Sequence, residues 1–537
     1  MVRVIMVRGR FLFFFHALIL FAILSGIYFR FENLEKKLFW HDEIGTRLFS
    51  AGLPIEEWNR VIYTGEVLNS DVVRTIHRLH PKGAWDVLKG LATDDPHHPP
   101  LYYVLVGVWV RVFGDEIATL RMLSAFFSLL LLPAVYWLSR EIFPSKRIAW
   151  IATALIALSP FFVLYAQEAR EYSLWFVWIA LSNAALLRAI RLTESRLDFS
   201  SRIFWAWALC TLFTCLGLYT SLATATVIAS QAGFILFRER FRITKITILS
   251  ASSLSLGVIL FAPWAIALAM RWEAFQISMA WSKMIHIPNR NLLAILALNI
   301  SRPIIDFWPD YNGLVSVVSV GMATILVVGA ILFFLFRAPL KTGALLLFLI
   351  FVPVLIVLVP DLLFGGIRSV SARYLSPALI GMILVLAYFY GSGNNTGIHR
   401  FRNTALYVAF SFSFASCIFN AKQEVVWPKG ISYNLPRVAH IINQSSSPLV
   451  VGNRERHHPG NLLALSYLLK TGTKMQFLSK EGGYFLPPAF TNIFLYSPTD
   501  EFRHELEKKE NVETRLMIED LHLQLWVVEK KIESPKY

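Results

Sequence analysis

From residue 11 to residue 420 the chain alternates long apolar runs with short charged turns, a period that fits membrane helices better than amphipathic ones. The first run, 11–29 (FLFFFHALILFAILSGIYF), is long enough to cross a bilayer. Further runs at 120–141, 148–165, 172–190, 203–219, 220–237, 246–270, 314–336, 343–360, 373–391 and 404–420 bring the predicted spans to eleven. Between the first two lies a long polar loop, 30–98, ending in Asp94-Asp95-Pro96-His97-His98-Pro99-Pro100, where the prolines forbid continuous helix. Residues 99–113 then give a short apolar stretch with Arg111 inside, too short to span and read as an interfacial or re-entrant helix.

Past residue 420 the pattern changes. Helical periodicities at Asn434 to Ile442, Asn461 to Leu469 and Asp500 to Glu510 alternate with strand-like runs at Leu449 to Val451, Met475 to Leu478, Ile493 to Tyr496 and Leu521 to Val528. The expected organisation is therefore a membrane domain over 1–420, holding the first loop and the interfacial helix, and a small soluble α/β domain over 421–537.

Composition agrees with the spans: 55% of residues are hydrophobic and 16% charged, too apolar for a soluble protein. The net charge of +15 does not point to nucleic acid, because the basic residues sit at the ends of apolar runs, as cytoplasmic turns do. That bias also sets sidedness. If 101–113 does not cross, the turns at Arg140 to Arg147, Arg188 to Arg202, Arg238 to Lys245, Arg337 to Lys341 and His399 to Arg402 all fall inside with Arg3, Arg8 and Arg10. The first loop, 166–171, 271–313, 361–372 and the tail then face outside. The first run lacks a small-residue cleavage site and reads as an anchor. Cys210, Cys215 and Cys417 lie in apolar runs and indicate neither a disulfide framework nor a cysteine zinc site.

On this outer side, Asp42 and Glu43 follow the first span by about a dozen residues. Adjacent carboxylates at a membrane face serve as general base, metal ligand or plain solvated charge, and the pair alone does not decide. Their company matters more. Glu168, Arg170 and Tyr172 lie in Tyr165-Ala166-Gln167-Glu168-Ala169-Arg170-Glu171-Tyr172, and Arg368, Arg373 and Tyr374 lie in GGIRSVSARYLSP, both at outer ends of spans where charge is costly unless paired or functional. Arginine forks suit phosphate oxygens and tyrosine adds a donor, although an arginine near a helix end, Arg121 included, also snorkels. Arg170 and Arg373 are the preferred phosphate ligands. His41, His97 and His98 can join the acidic pair around a divalent metal, but no ligand spacing is diagnostic.

The order of these features resembles the family 39 glycosyltransferases, which include protein O-mannosyltransferases and the aminoarabinose transferases that modify lipid A. An Asp-Glu pair after the first span is followed by HHPPLYYVLVGVWVRVFG, RMLSAFFSLLLLPAVYWLSREIF, LSPFFVLYAQEAREYSLW and SARYLSP. The similarity covers roughly residues 10–240 well and the later spans loosely. It implies the GT-C fold, a polyprenyl-phosphate sugar donor, and inverting transfer to a lipid, glycan or protein acceptor on the non-cytoplasmic face of a bacterial inner membrane. By the same resemblance Asp42 matches the catalytic base, with Glu43 its neighbour; the candidate substrate-binding residues are His97, His98, Tyr102, Glu168, Arg170, Tyr172, Arg368, Arg373 and Tyr374. The tail does not resemble the mannosyltransferase carbohydrate-binding module.

The function expected is thus a membrane glycosyltransferase in which Asp42 deprotonates an acceptor hydroxyl and arginines hold the departing lipid phosphate. Because a monophosphate leaving group can be stabilised by arginine alone, no metal is required and a divalent ion is optional. The rivals are a transporter or flippase of an amphipathic anion, which fits the spans but not the acidic loop, and a binding protein that leaves the acidic pair idle.

Overall fold

The computed structural model describes residues 2–76, 83–195, 200–284, 287–307, 313–393, 396–454, 460–480, 483–520 and 522–530; parts of the predicted loops 30–98 and 271–313 and of the turn from Arg188 to Arg202 lie outside them. Two units are distinguished. One comprises Met1–Leu34, Asp95–Leu105 and Ala118–Gln423, the other Glu35–Asp94, Val106–Ile117 and Glu424–Tyr537.

The first unit is a helical bundle. Among the described residues eight helices are long and apolar enough to cross a membrane, or ten if two bent pairs each count as one span, so the chain is an integral membrane protein. The bent pairs are Lys146–Leu158 with Pro160–Ala166, at 56°, and Lys245–Leu260 with Ala262–Met270, at 52°. The remaining predicted span, 220–237, forms the helix Thr224–Arg238, whose 15 residues do not reach a spanning length. Leu101–Phe113 is a 13-residue helix, as short as expected.

The first bend has a visible cause. Pro160 has no amide hydrogen, so the carbonyl of Ile156 loses its helical partner. Arg30, fully buried on the first helix, supplies the substitute: its Nη2 donates to Ile156 O at 3.1 Å and its Nη1 donates to Ala157 O. Gly26, one turn earlier, permits this approach, since a Cβ there would collide with the Ala157 carbonyl. The end of the same helix is stitched by the Gln167 amide, which donates to Phe29 O at 2.7 Å and Glu32 O at 2.8 Å, and by buried Arg121, which donates to Leu34 O at 2.5 Å.

The basic turns that charge bias assigns to one side are bonded to one another. Glu141 takes a two-pronged ion pair from Arg191, with contacts of 3.0 and 2.9 Å. Glu194 holds Arg238 at 2.8 Å and Lys341 at 2.9 Å. Thr342 donates to Ile142 O at 3.2 Å, and Arg147 to Asn403 at 3.1 Å. The turns therefore gather at one end of the bundle.

The second unit clusters Glu35–Asp94 of the first loop with the tail. Its sheet contains β1 (Val67–Asn69), β2 (Leu449–Asn453), β3 (Lys474–Leu478), β4 (Ile493–Tyr496), β5 (Val512–Glu519) and β6 (Gln524–Lys530) in the order β1-β3-β2-β4-β6-β5. β1 comes from the first loop and pairs antiparallel with β3, in the register Val67 with Gln476, so loop and tail share one sheet. β2 runs parallel to both β3 and β4 and is buried throughout, as a parallel strand covered on two faces should be. Leu449, Val451, Leu478, Leu495, Phe502 and Leu506 form its core. The predicted strand from Leu521 begins instead at Gln524, because the Asp520 carboxylate accepts the amides of His522 and Leu523 at 2.6 and 2.7 Å and turns the chain. β5, the last strand at one edge of the sheet, was not anticipated.

Candidate active site

The acidic pair opens the helix His41–Ser50, in the second unit, after extended Trp40. Carboxylates in a first helical turn are favoured by the unpaired amides there. The two then part company. Asp42 is half-buried, while Glu43 is fully buried and ion-paired to Lys429 Nζ at 2.9 Å, also fully buried. Lys429 also donates to Leu38 O at 2.7 Å. Further along the helix, Arg47 bonds Asp115 at 2.8 Å and the Tyr467 hydroxyl at 2.9 Å.

In the first unit the residues from the two arginine motifs converge. Tyr172 opens the helix Tyr172–Glu194, and its hydroxyl accepts a hydrogen bond from Arg373 Nη1 at 3.0 Å. The guanidinium carbons of Arg373 and Arg170 lie 5.8 and 5.7 Å from the centre of its ring, and Arg373 is also 5.5 Å from the Tyr374 ring. Arg170 reaches His98 Nε2 at 3.0 Å and Glu171 at 3.3 Å. Fully buried Tyr102 bonds Ser124 at 2.7 Å, and Ser124 donates to the Arg170 carbonyl at 3.2 Å, so Tyr102 fixes the backbone that carries the arginine. Glu168 is buried one residue short of Ala169, and its carbonyl accepts the Arg170 amide at 2.7 Å.

His97 and His98 both pair with Asp95. His98 Nδ1 lies 3.0 Å from Asp95 Oδ2, His97 Nδ1 pairs with Oδ1, and His97 also contacts Ser278 at 3.1 Å. Burial pushes the Asp95 carboxyl up, but the charge of His98 and hydrogen bonds from both imidazoles outweigh it and hold the group well below the usual carboxylate range. Burial pushes the His97 imidazole down, and His98 and Arg170 add to that against the pull of Asp95. Among the described residues this is the group whose ligand atoms converge, within 4.8 Å of one another. One carboxylate oxygen and two imidazole nitrogens suit a zinc-like or manganese-like ion better than magnesium or calcium.

Arg368 is otherwise engaged. It bonds the buried carboxylate of Asp361 at 2.7 Å, while Ser369 donates to the other oxygen through its amide at 2.7 Å and its hydroxyl at 2.8 Å. This closes the turn after the helix Leu340–Phe364 and gives Arg368 a structural partner that the motif did not suggest. Asp95, Glu171 and Ser278 were not singled out from sequence. The Asp-x-His-His spacing carried the first of these, but Ser278 sits in an unremarkable stretch and nothing local marks it.

No family model matches the chain, and no curated protein matches it by sequence. Solved structures do. ArnT from Cupriavidus metallidurans, bound to undecaprenyl phosphate, superposes with a TM-score of 0.52 at 10% identity, covering 96% of this chain and 98% of that one. The fold is GT-C. The archaeal oligosaccharyltransferase AglB from Archaeoglobus fulgidus, in complex with an inhibitory peptide and a dolichol-phosphate, gives 0.48 at 14% identity over 85% of this chain. The chain spans 64% of that protein's length. On this GT-C scaffold the arginine, tyrosine and histidine motifs form one cluster in the membrane unit, and the acidic helix belongs to the unit that holds the sheet.

Proposed function

We propose that the protein is a membrane glycosyltransferase that takes a sugar from a polyprenyl-phosphate donor and transfers it, with inversion, to an acceptor hydroxyl on the non-cytoplasmic side. The observation that carries this reading is the pairing of Arg170 and Arg373 around Tyr172 in a GT-C fold. Two guanidinium forks at the end of a membrane bundle suit a lipid-anchored phosphate, and the Tyr172 hydroxyl orients one of them. The ArnT structure with undecaprenyl phosphate bound supplies the ligand class carried over here.

In the reaction, the acceptor oxygen attacks the anomeric carbon as its proton passes to Asp42. The bond from that carbon to the phosphate oxygen breaks, and its electron pair leaves on the lipid phosphate, where Arg170 and Arg373 stabilise the growing charge. Asp42, half-buried at a helix start, suits a base that must meet an acceptor, whereas buried Glu43 suits support. Asp95, His97 and His98 are the residues that would hold a divalent ion, and its charge would add to that of Arg170 beside them.

Purified protein incubated with a panel of polyprenyl-phosphate sugars and hydroxyl acceptors should release polyprenyl phosphate. Translocation of the lipid in vesicles, with no release from any donor, would instead support a flippase.

A further inference from the structure

The acid-bearing helix has its first turn fixed by the C-terminal segment. The Lys429 ammonium donates to Glu43 at 2.9 Å and to the Leu38 carbonyl at 2.7 Å, so one fully buried cation ties the residue after Asp42 to the strand-like approach before it. Two more contacts brace the same point. The His41 amide lies 3.4 Å from Ser432 Oγ, which itself donates to Asn461 at 2.6 Å. The Leu38 amide donates to the Glu424 carbonyl at 2.9 Å. Every one of these partners lies beyond residue 423, in the part of the chain whose role the sequence left open.

We infer that Lys429 is a positioning residue for catalysis: it holds Glu43 and the Leu38 carbonyl so that the Asp42 carboxylate keeps one orientation at the head of its helix. The inference rests on the reading of Asp42 as the base. A buried ion pair is a poor source of net stability, because desolvating two charges offsets their attraction. What such a pair does provide is directional definition, since Lys429 has three donors and two of its acceptors sit on either side of Asp42. A base displaced by an ångström loses turnover without losing donor affinity, which gives positioning a kinetic signature distinct from folding.

The test compares Lys429→Met, Lys429→Arg, the double variant Glu43→Gln with Lys429→Met, and Asp42→Asn as reference, measuring kcat, donor KM, direct donor binding and thermal melting. Lys429→Met should lower kcat at least tenfold with donor KM within twofold of wild type, and Lys429→Arg, which keeps charge and donors, should recover most of the loss. If Lys429→Met does not fold, the double variant decides, because it removes the orphaned charge together with the tether. Slow turnover with intact donor binding in that variant supports positioning. A wild-type kcat in either folded Lys429→Met protein overturns it, as does loss of donor binding in both, which would make Lys429 a general structural residue. Failure of the underlying reading looks different: Asp42→Asn itself would then turn over at the wild-type rate.

Discussion

Arg373 donates a hydrogen bond to the Tyr172 hydroxyl at 3.0 Å, and Arg170 lies over the same ring. A tyrosine shared by two guanidinium groups holds both forks in a defined plane, which a lysine could not exploit. Arg170→Lys and Arg373→Lys should each raise the donor KM by roughly tenfold to a hundredfold, the scale of a lost charge-assisted hydrogen bond, with a smaller change in kcat. Unchanged KM and kcat in both would assign these side chains to structure alone.

Asp42→Asn preserves size and removes proton affinity. Turnover should fall by about a hundredfold or more, the usual range for a lost general base, while donor binding measured by a fluorescent lipid phosphate stays intact. A wild-type rate in detergent would move the search for a base to Glu168.

Arg30 tests the fold rather than the chemistry. In Arg30→Met the carbonyls of Ile156 and Ala157 lose their buried donor, a cost of about 1–3 kcal/mol per unsatisfied group. Thermal unfolding in detergent should show a clear loss of stability, and an unchanged melting curve would mean that the bend at Pro160 is satisfied in another way.

The histidine cluster makes a separate prediction. Zinc or manganese titrated into the metal-stripped protein should bind, and His98→Ala should weaken that binding tenfold or more. Calorimetry that detects no divalent ion at micromolar concentrations would leave Asp95, His97 and His98 as a hydrogen-bonded support for Arg170.

Sidedness is open to labelling. A cysteine at Asp71, exposed in the sheet unit, should react with an impermeant maleimide in intact cells, whereas one at Ser145, in a basic turn, should react only after permeabilisation. External labelling at Ser145 would refute the eleven-span register.

The spans were legible because twenty-residue apolar runs have few alternatives in any fold, and the basic turns were legible because arginine and lysine cluster between those runs. Arg170, Tyr172, Arg373, His97 and His98 were legible as chemistry out of place, charge where lipid is near. Their partners were harder to see. Lys429 looks like an ordinary lysine in a polar tail, and only the folded contact with Glu43 shows that it is fully buried. Arg368 has a partner that was equally hidden: Asp361, at the end of an apolar helix, pairs with it. The strand that the first loop gives to the sheet was hidden for a related reason. A three-residue strand such as β1 leaves almost no pattern, and its pairing depends on a segment far along the chain.

That pairing also has a consequence for biogenesis. Ser70 bonds the Lys470 carbonyl across 400 residues, beside the junction of β1 with β3. Contacts this remote in sequence form last. The segment from Glu35 to Asp94 is therefore made early and waits, without its sheet, until the following helices and the tail have been synthesised. A nascent chain arrested before Lys429 would carry its acidic helix without the cation that holds Glu43.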